Sequence, residues 1–393
     1  MTVHENLDHG KERQGGDLTG YQAGRISLDL SECANRLGPP PSTLRAVMSQ
    51  LTHNPGALRS TPYQAVDDYA QAYARHLGVP WHELVCGRGV SEFLLVLSDL
   101  LSAEDVGLLT PEYTETLRRF AFATFYPPDA GRPDSTEHRL ERLRRAMQAH
   151  RYVLISNPNN PLGHYIARED LLAACRAFPR CSLIVDESYI EFVGPDLSLA
   201  THPAPASRPR NVVILQSTGK AWGLAGTRGG ILWTRDSDLA HRAELRIPSW
   251  PLSANDVAGL KAALADTTWL HRTLHHIRRQ ATQLEDLLRH RFGGAVVTSQ
   301  IHYRFVHHEQ PAAVAEHLAE HAIAVRTFDG TERGRTSGLR VSAPTNTDEY
   351  GQLERALASL PSSLVPHPGR VYPAGTPYLG KAALAPLPQT AAT

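Results

Sequence analysis

The chain has 393 residues, 41% of them apolar and 20% charged, enough to bury most of its unfolded surface in one large or two medium domains. Forty Lys and Arg balance forty Asp and Glu, which excludes a global electrostatic pull toward nucleic acid or an acidic membrane. No apolar run reaches the roughly 18 residues of a membrane span, and Met1 to Arg25 is polar with no secretory signal core; a soluble, cytoplasmic, globular protein is expected.

Cys33, Cys86, Cys175 and Cys181 contain no C-x-x-C pair and make no disulfide framework at this length, so buried thiols in a reducing compartment are expected. The adjacent histidines His275-His276 and His307-His308 point to different faces of any regular element, so no metal site is expected. Lysine occurs only at Lys11, Lys220, Lys261 and Lys381, so lysine-dependent chemistry has four candidates.

In chain order, short β-branched runs alternate with helical stretches from Glu83 onward. The expected strands are Glu83-Leu84-Val85-Cys86, Val106-Gly107-Leu108-Leu109, Tyr152-Val153-Leu154-Ile155, Ser182-Leu183-Ile184-Val185, Val212-Val213-Ile214-Leu215 and Gly230-Ile231-Leu232-Trp233. An apolar helix is expected over Ser91 to Leu101. The runs are continuously apolar, as in strands covered by helices on both faces, so the fold class is α/β with a mostly parallel sheet. After Pro248 the texture changes. A long helical stretch from Asn255 to Phe292, then Val296 to Val306, a helix near Pro311 to His321 and the strand Leu339-Arg340-Val341-Ser342 predict a smaller α+β C-terminal domain. The expected divisions are an N-terminal arm (1–45), a large α/β domain (46–247), a small domain (248–361) and a Pro/Ala-rich tail (362–393). The tail reads as loosely ordered apart from docking by Tyr372 or Tyr378.

In open α/β sheets ligands bind outside the carboxyl ends of the strands. Those ends carry Gly89-Val90-Ser91, Tyr113, Asn160, Asp186 with Tyr189, and Ser217 through Lys220, with Arg228 eight residues on. Together they list a phosphate cradle, an aromatic plate, an amide, a carboxylate, a phenol and a lysine. Pyridoxal phosphate needs this inventory: a lysine for the Schiff base, an acid opposite the pyridine nitrogen and amide donors for the phosphate. Asp186 alone reads more readily as a helix cap or turn former, and Lys220 alone could be an ordinary surface lysine; their conjunction carries the reading.

Asn157-Pro158-Asn159-Asn160-Pro161-Leu162-Gly163 resembles the N-P-x-N-P-T-G signature of the class I/II aminotransferases of pyridoxal phosphate (PLP) fold type I. Asp186-Glu187-Ser188-Tyr189-Ile190-Glu191-Phe192 resembles the D-E-A-Y-x-E-F of the histidinol-phosphate aminotransferase branch, and Ser217 through Gly230 is similar to that branch's S/T-x-S-K-A-F-G-L-A-G-x-R-x-G. Leu37-Gly38-Pro39-Pro40-Pro41 resembles the end of its N-E-N-P-x-G-P-x-P segment. The resemblance covers residues 28 to 360. It implies that Lys220 forms the Schiff base and then moves the α-proton. It implies that Asp186 pairs with the pyridine nitrogen, that Tyr189 and Asn160 bond the ring oxygen, and that Tyr113 stacks on the ring. Gly89, Val90, Ser91, Ser217 and Arg228 would hold the phosphate, and Arg340 would grip a substrate carboxylate. Asn35 would line the substrate side, Tyr63 would reach a partner subunit's site, and the chain would be a homodimer.

The departures fall mostly on the substrate side. Gly219 replaces a serine, removing a hydroxyl that Thr218 or a water would have to replace. Val90 stands where the branch has Ser or Ala, Cys33-Ala34-Asn35 replaces N-E-N, and Asn346 stands where a second arginine is expected. The expected function is a PLP-dependent aminotransferase acting on an amino acid or amino-acid-like metabolite and an oxo acid in specialised, antibiotic-type metabolism. The alternative is a PLP-dependent lyase or cyclase, of the kind that closes a capreomycidine ring from hydroxyarginine, or an amino-acid decarboxylase. A transcription regulator with an aminotransferase-like domain would need a winged helix-turn-helix, and the polar stretch before Leu28 leaves no room for one.

Overall fold

The six strands expected between Glu83 and Trp233 all lie in one seven-stranded sheet of the computed structural model, which describes residues 14–129, 132, 134–201 and 209–366. Tyr372 and Tyr378 lie outside the described residues. A two-residue strand, β1 (Leu28–Asp29), comes first. The large sheet is built from β2 (Leu84–Gly87), β3 (Val106–Leu109), β4 (Thr124–Tyr126), β5 (Tyr152–Ser156), β6 (Ser182–Asp186), β7 (Val212–Ser217) and β8 (Gly230–Thr234). Its order is β2-β8-β7-β6-β5-β3-β4, parallel except for β8, which runs against both neighbours. The sequence missed β4, a half-exposed strand of three residues.

The helices are α1 (Pro41–His53), α2 (Tyr63–Leu77), α3 (Val90–Leu100), α4 (Thr114–Arg119), α5 (Thr136–Ala149), α6 (Arg168–Ala177), α7 (Ile190–Val193), α8 (Ser237–Glu244), α9 (Ala254–Ala265), α10 (Thr267–Phe292), α11 (Pro311–Glu320) and α12 (Thr347–Ala358). Alternate strand residues enter opposite cores. Val153 and Ile155 join α2, α6 and α9 on one face, and Leu154 joins α3 and α8 on the other. This double covering is why the strands read as unbroken apolar runs.

The smaller sheet is antiparallel, in the order β12-β13-β10-β9, from β9 (Val296–Val297), β10 (Tyr303–His307), β12 (Arg326–Phe328) and β13 (Gly338–Ser342). The remaining strand, β11 (Ile323–Ala324), pairs in parallel with β1. Leu28 and Leu30 therefore pack in the small core, so this part of the N-terminal arm belongs with the C-terminal elements. The two cores divide inside α10 rather than at Pro248. Trp269 to Ile277 pack with the large sheet, and Ala281 to Phe292 with the small one. The helical stretch from Asn255 to Phe292 is two helices, because the Asp266 carboxylate accepts from Trp269 N at 3.1 Å and caps a new start.

Candidate active site

The chain turns between β2 and α3 at Gly89, whose φ of +84° suits glycine and opens α3 with the amides of Val90 and Ser91. On the neighbouring reversed strand, a Cβ at Gly230 would fall 2.6 Å from Gly89 Cα, so both glycines are needed for this approach. Arg228 reaches the same turn, where its Nη2 donates to Arg88 O at 3.4 Å. Ser217 Oγ accepts from Gly219 N at 3.0 Å and donates to Gly229 O at 3.1 Å, which folds the Ser217–Lys220 turn beside the cradle. Thr218 does not replace the hydroxyl missing at Gly219: it is fully buried, and its Oγ1 faces Gly229 O and Tyr69 Oη.

Asp186 ends β6 and is buried. Its Oδ1 accepts from Ser188 N at 2.9 Å and Ser188 Oγ at 2.6 Å; Oδ2 has no hydrogen-bond partner among the described residues. Burial pushes this carboxyl above the usual range, while the Ser188 bonds and the Lys220 ammonium draw it back. Tyr113 opens α4 and is held by Glu112, whose carboxylate accepts from Tyr113 N and Ser156 N, each at 2.7 Å. Glu112 thus ties the turn after β3 to the end of β5, and its burial pushes its carboxyl up to about 7.

The middle of β13 brings Arg340 to the same place. It is buried, with Nη1 donating to Asn160 Oδ1 at 2.7 Å and Nη2 to Ser31 O at 3.1 Å. Its guanidinium carbon lies 5.2 Å from the Tyr303 ring centroid, and it pairs with no carboxylate among the described residues. Tyr189 lies beside it, and Lys220 Nζ is 5.9 Å from the Tyr189 ring centroid. Between these groups stands Cys33, its Sγ 2.7 Å from Tyr189 Oη and 3.7 Å from Lys220 Nζ.

The structure therefore brings together Gly89, Val90, Ser91 and Arg228 at the cradle, and Asp186, Tyr189, Lys220, Asn160 and Arg340 beside it. Ser217 turns beside the cradle and Tyr113 opens α4 nearby, whereas Asn35 and Tyr63 are not brought to the site in the same way. Asn35 is buried, but its amide is spent on backbone: Nδ2 donates to Ala221 O and Oδ1 accepts from Leu37 N. Tyr63 is 72% exposed and meets Trp250 edge-on, away from these groups within the chain. Three contributors escaped the sequence reading. Cys33 was read as a buried thiol within the altered N-E-N segment on the substrate side, with no role of its own. Arg326 is the cross-strand partner of Arg340 and shares its Phe328 neighbour, at 5.1 and 5.8 Å from the ring centroid. Gly15 packs so closely that a Cβ there would lie 2.2 Å from Ser31 O and 3.0 Å from Arg340 Nη2. Cross-strand register is the signal that would have found Arg326, and it is not written in one strand alone.

A family model for the aminotransferases of class I and II matches residues 25–360. The chain belongs to this family. It is similar to histidinol-phosphate aminotransferase 1 of Pseudomonas aeruginosa, 28% identical over 331 residues, 81% of this chain and 89% of that one. Threonine-phosphate decarboxylase of Salmonella typhimurium is 27% identical over 298 residues, 73% of this chain and 78% of that one. The fold resembles that of histidinol-phosphate aminotransferase from Sinorhizobium meliloti solved in complex with pyridoxal 5'-phosphate, with a TM-score of 0.70 at 23% identity, covering 86% of this chain and 92% of that chain. This aminotransferase falls in the histidinol-phosphate aminotransferase-like branch, as its motifs imply, and its cofactor is pyridoxal 5'-phosphate.

The residues present fit that cofactor. The turn at Gly89 opens α3 with amide donors for a phosphate, and the Arg228 guanidinium stands beside it. A protonated pyridine nitrogen would give the buried Asp186 Oδ2 the donor it lacks among the described residues. Of the two described lysines, Lys261 is paired with Asp68 at the surface and Lys220 stands in the site.

Proposed function

We propose that this aminotransferase moves an amino group between a carboxylate-bearing amino acid, or amino-acid-like metabolite, of specialised metabolism and an oxo acid. The observation that carries the proposal is Arg340: a buried guanidinium with no carboxylate partner among the described residues, beside the site lysine. A buried charge of this kind is costly unless something pairs with it, and a substrate carboxylate does so in bidentate fashion. When bound, the cofactor supplies an electron sink for the bond being broken at the substrate's α-carbon. Lys220 Nζ would hold it and carry the α-proton, Asp186 would keep its ring nitrogen charged, and Tyr189 and Asn160 would bond its ring oxygen. Tyr113 would pack on the ring, while Gly89, Val90, Ser91, Ser217 and Arg228 would hold its phosphate. The altered Cys33-Ala34-Asn35 segment supports a substrate unlike that of the histidine pathway.

The charge that Asn346 does not supply has another candidate source in Arg326, the cross-strand partner of Arg340. Asn346 caps α12, accepting from Asp348 N and Glu349 N at 3.0 Å, and Arg326 supplies the second guanidinium from β12. This pair, with the likeness to a threonine-phosphate decarboxylase, favours decarboxylation of an amino acid bearing a second anion as the other reading. One half-reaction separates them. The PLP-loaded protein, mixed with single amino donors, should convert its cofactor to pyridoxamine phosphate with one of them, read by mass. Product formed while the cofactor stays as PLP would replace transamination with decarboxylation, elimination or cyclisation.

We further propose a homodimer. Leu44, Met48 and Leu51 form an exposed stripe on α1, spaced as one helical face, at 54%, 67% and 42% exposure. Exposed Leu58, Tyr63 and Trp250 support the same reading of an uncovered apolar surface. Sedimentation at micromolar concentration should give twice the chain mass, and Met48→Glu should shift it toward monomer. A wild-type monomer would remove Tyr63 from the proposed site.

A further inference from the structure

Glu112 is 2% exposed, and four donors converge on its two carboxylate oxygens. Oε1 accepts from Tyr113 N at 2.7 Å and from Ser156 Oγ, while Oε2 accepts from Ser156 N at 2.7 Å and Arg139 Nη2 at 3.4 Å. Ser156 passes the contact on. Its Oγ accepts from Asn160 N at 3.0 Å and from Asn159 Nδ2 at 3.2 Å, and Asn159 Nδ2 also donates to Pro111 O at 3.1 Å. One carboxylate therefore fixes the backbone of Tyr113 directly and that of Asn160 through a single hydroxyl, across 44 residues of chain. Arg139 of α5 is 0% exposed, and its Nε and Nη1 have no hydrogen-bond partner among the described residues. Its place is explained by its charge opposite Glu112, not by a full set of bonds.

We propose that Glu112, kept ionised by Arg139, is a positioning residue that sets the Tyr113 ring and the Asn160 amide together for the cofactor ring. This rests on the reading that Tyr113 packs on that ring and Asn160 bonds its oxygen. An acceptor with no proton of its own is required, because all four neighbours donate. Glutamine would turn its NH2 toward two of those donors, and a protonated Glu112 would turn its O–H toward one. Either change leaves buried donors unmet, so the turns carrying Tyr113 and Asn160 must shift to satisfy them.

The charges around Glu112 agree. Burial pushes its carboxyl up to about 7, and Arg139 is the strongest influence drawing it back, ahead of the Ser156 and Tyr113 bonds. Arg142, one turn further along α5, is occupied by Asp134 at 2.5 Å and by Thr110 O and Tyr126 O. Tyr303 of β10 is pushed up by burial and stays neutral, with its Oη donating to Asn159 O at 2.8 Å. Without Arg139, the Glu112 carboxyl should hold its proton to higher pH and release it only as pH rises further.

The test reads PLP affinity by equilibrium dialysis and the visible circular dichroism of the bound cofactor. Glu112→Gln should bind PLP roughly tenfold more weakly than wild type, the scale of one buried hydrogen bond lost, with weaker visible and unchanged far-ultraviolet dichroism. Arg139→Met should show the same loss at about pH 7 and return toward the wild-type value at about pH 9, where Glu112 ionises again. Arg139→Lys keeps the charge and should stay close to wild type. The recovery with pH is absent from Glu112→Gln, and a merely structural role for Arg139 would not produce it. It also decides the matter if Glu112→Gln does not fold. Wild-type affinity and visible dichroism in Glu112→Gln, or an Arg139→Met loss equal at every pH, would overturn the inference. Tyr113→Ala and Asn160→Ala separate this from the reading beneath it. If both lower the two signals while Glu112→Gln does not, the inference alone falls; if neither variant moves them, the reading of those two side chains falls with it.

Discussion

Replacing Lys220 with alanine should abolish the visible absorbance of the bound cofactor and cut turnover by about 10⁴-fold or more. A positioned proton carrier alone accounts for roughly 10²–10⁴, and this lysine also makes the covalent link. No other described lysine can take its place, because Lys261 is engaged with Asp68 at the surface. Lys220 lies 3.7 Å from Cys33 Sγ and in the field of Asp186, so the vacated space is lined by polar groups that water can satisfy. The fold should therefore survive the change. Absorbance and single-turnover assays of a variant with unchanged circular dichroism check this, and full turnover by it would sink the assignment.

Arg340→Gln should raise the KM for a carboxylate substrate by roughly 10²-fold, with a smaller effect on kcat. Removing one partner of a buried, hydrogen-bonded charge pair costs about 2–5 kcal/mol, and each 1.4 kcal/mol or so is tenfold. Glutamine can still reach the Asn160 amide, which Arg340 Nη1 now bonds at 2.7 Å, so the site wall is kept while the charge is lost. Steady-state kinetics with the donor found in the half-reaction give the number. An unchanged KM would show that the carboxylate is held elsewhere, with Arg326 across the ladder the first place to look.

The large sheet was legible because its strands are covered on both faces and so read as unbroken apolar runs. The cradle was legible because Gly89 and Gly230 follow from the need of backbones to approach closely. What escaped depends on contacts between distant segments. The pairing of β1 with β11, which ties Leu28 to the small core, involves two residues on each side and leaves no periodic trace. Arg326 is one arginine among many in this chain until β12 and β13 are set in register. Cys33 is one residue of an altered N-E-N segment in sequence, and in space its Sγ lies 2.7 Å from Tyr189 Oη and 3.7 Å from Lys220 Nζ. The long stretch from Asn255 to Phe292 reads as one helix, since a capping Asp266 inside a charged amphipathic run looks like one more solvated residue.

The most direct test of the central claim is to reduce the PLP-loaded protein with borohydride, which fixes the cofactor to the amine it is bonded to, and to map the modified peptide by mass. Lys220 should carry the added phosphopyridoxyl group. Modification at Lys11, Lys261 or Lys381 instead, or at no lysine, would contradict the assignment of this site.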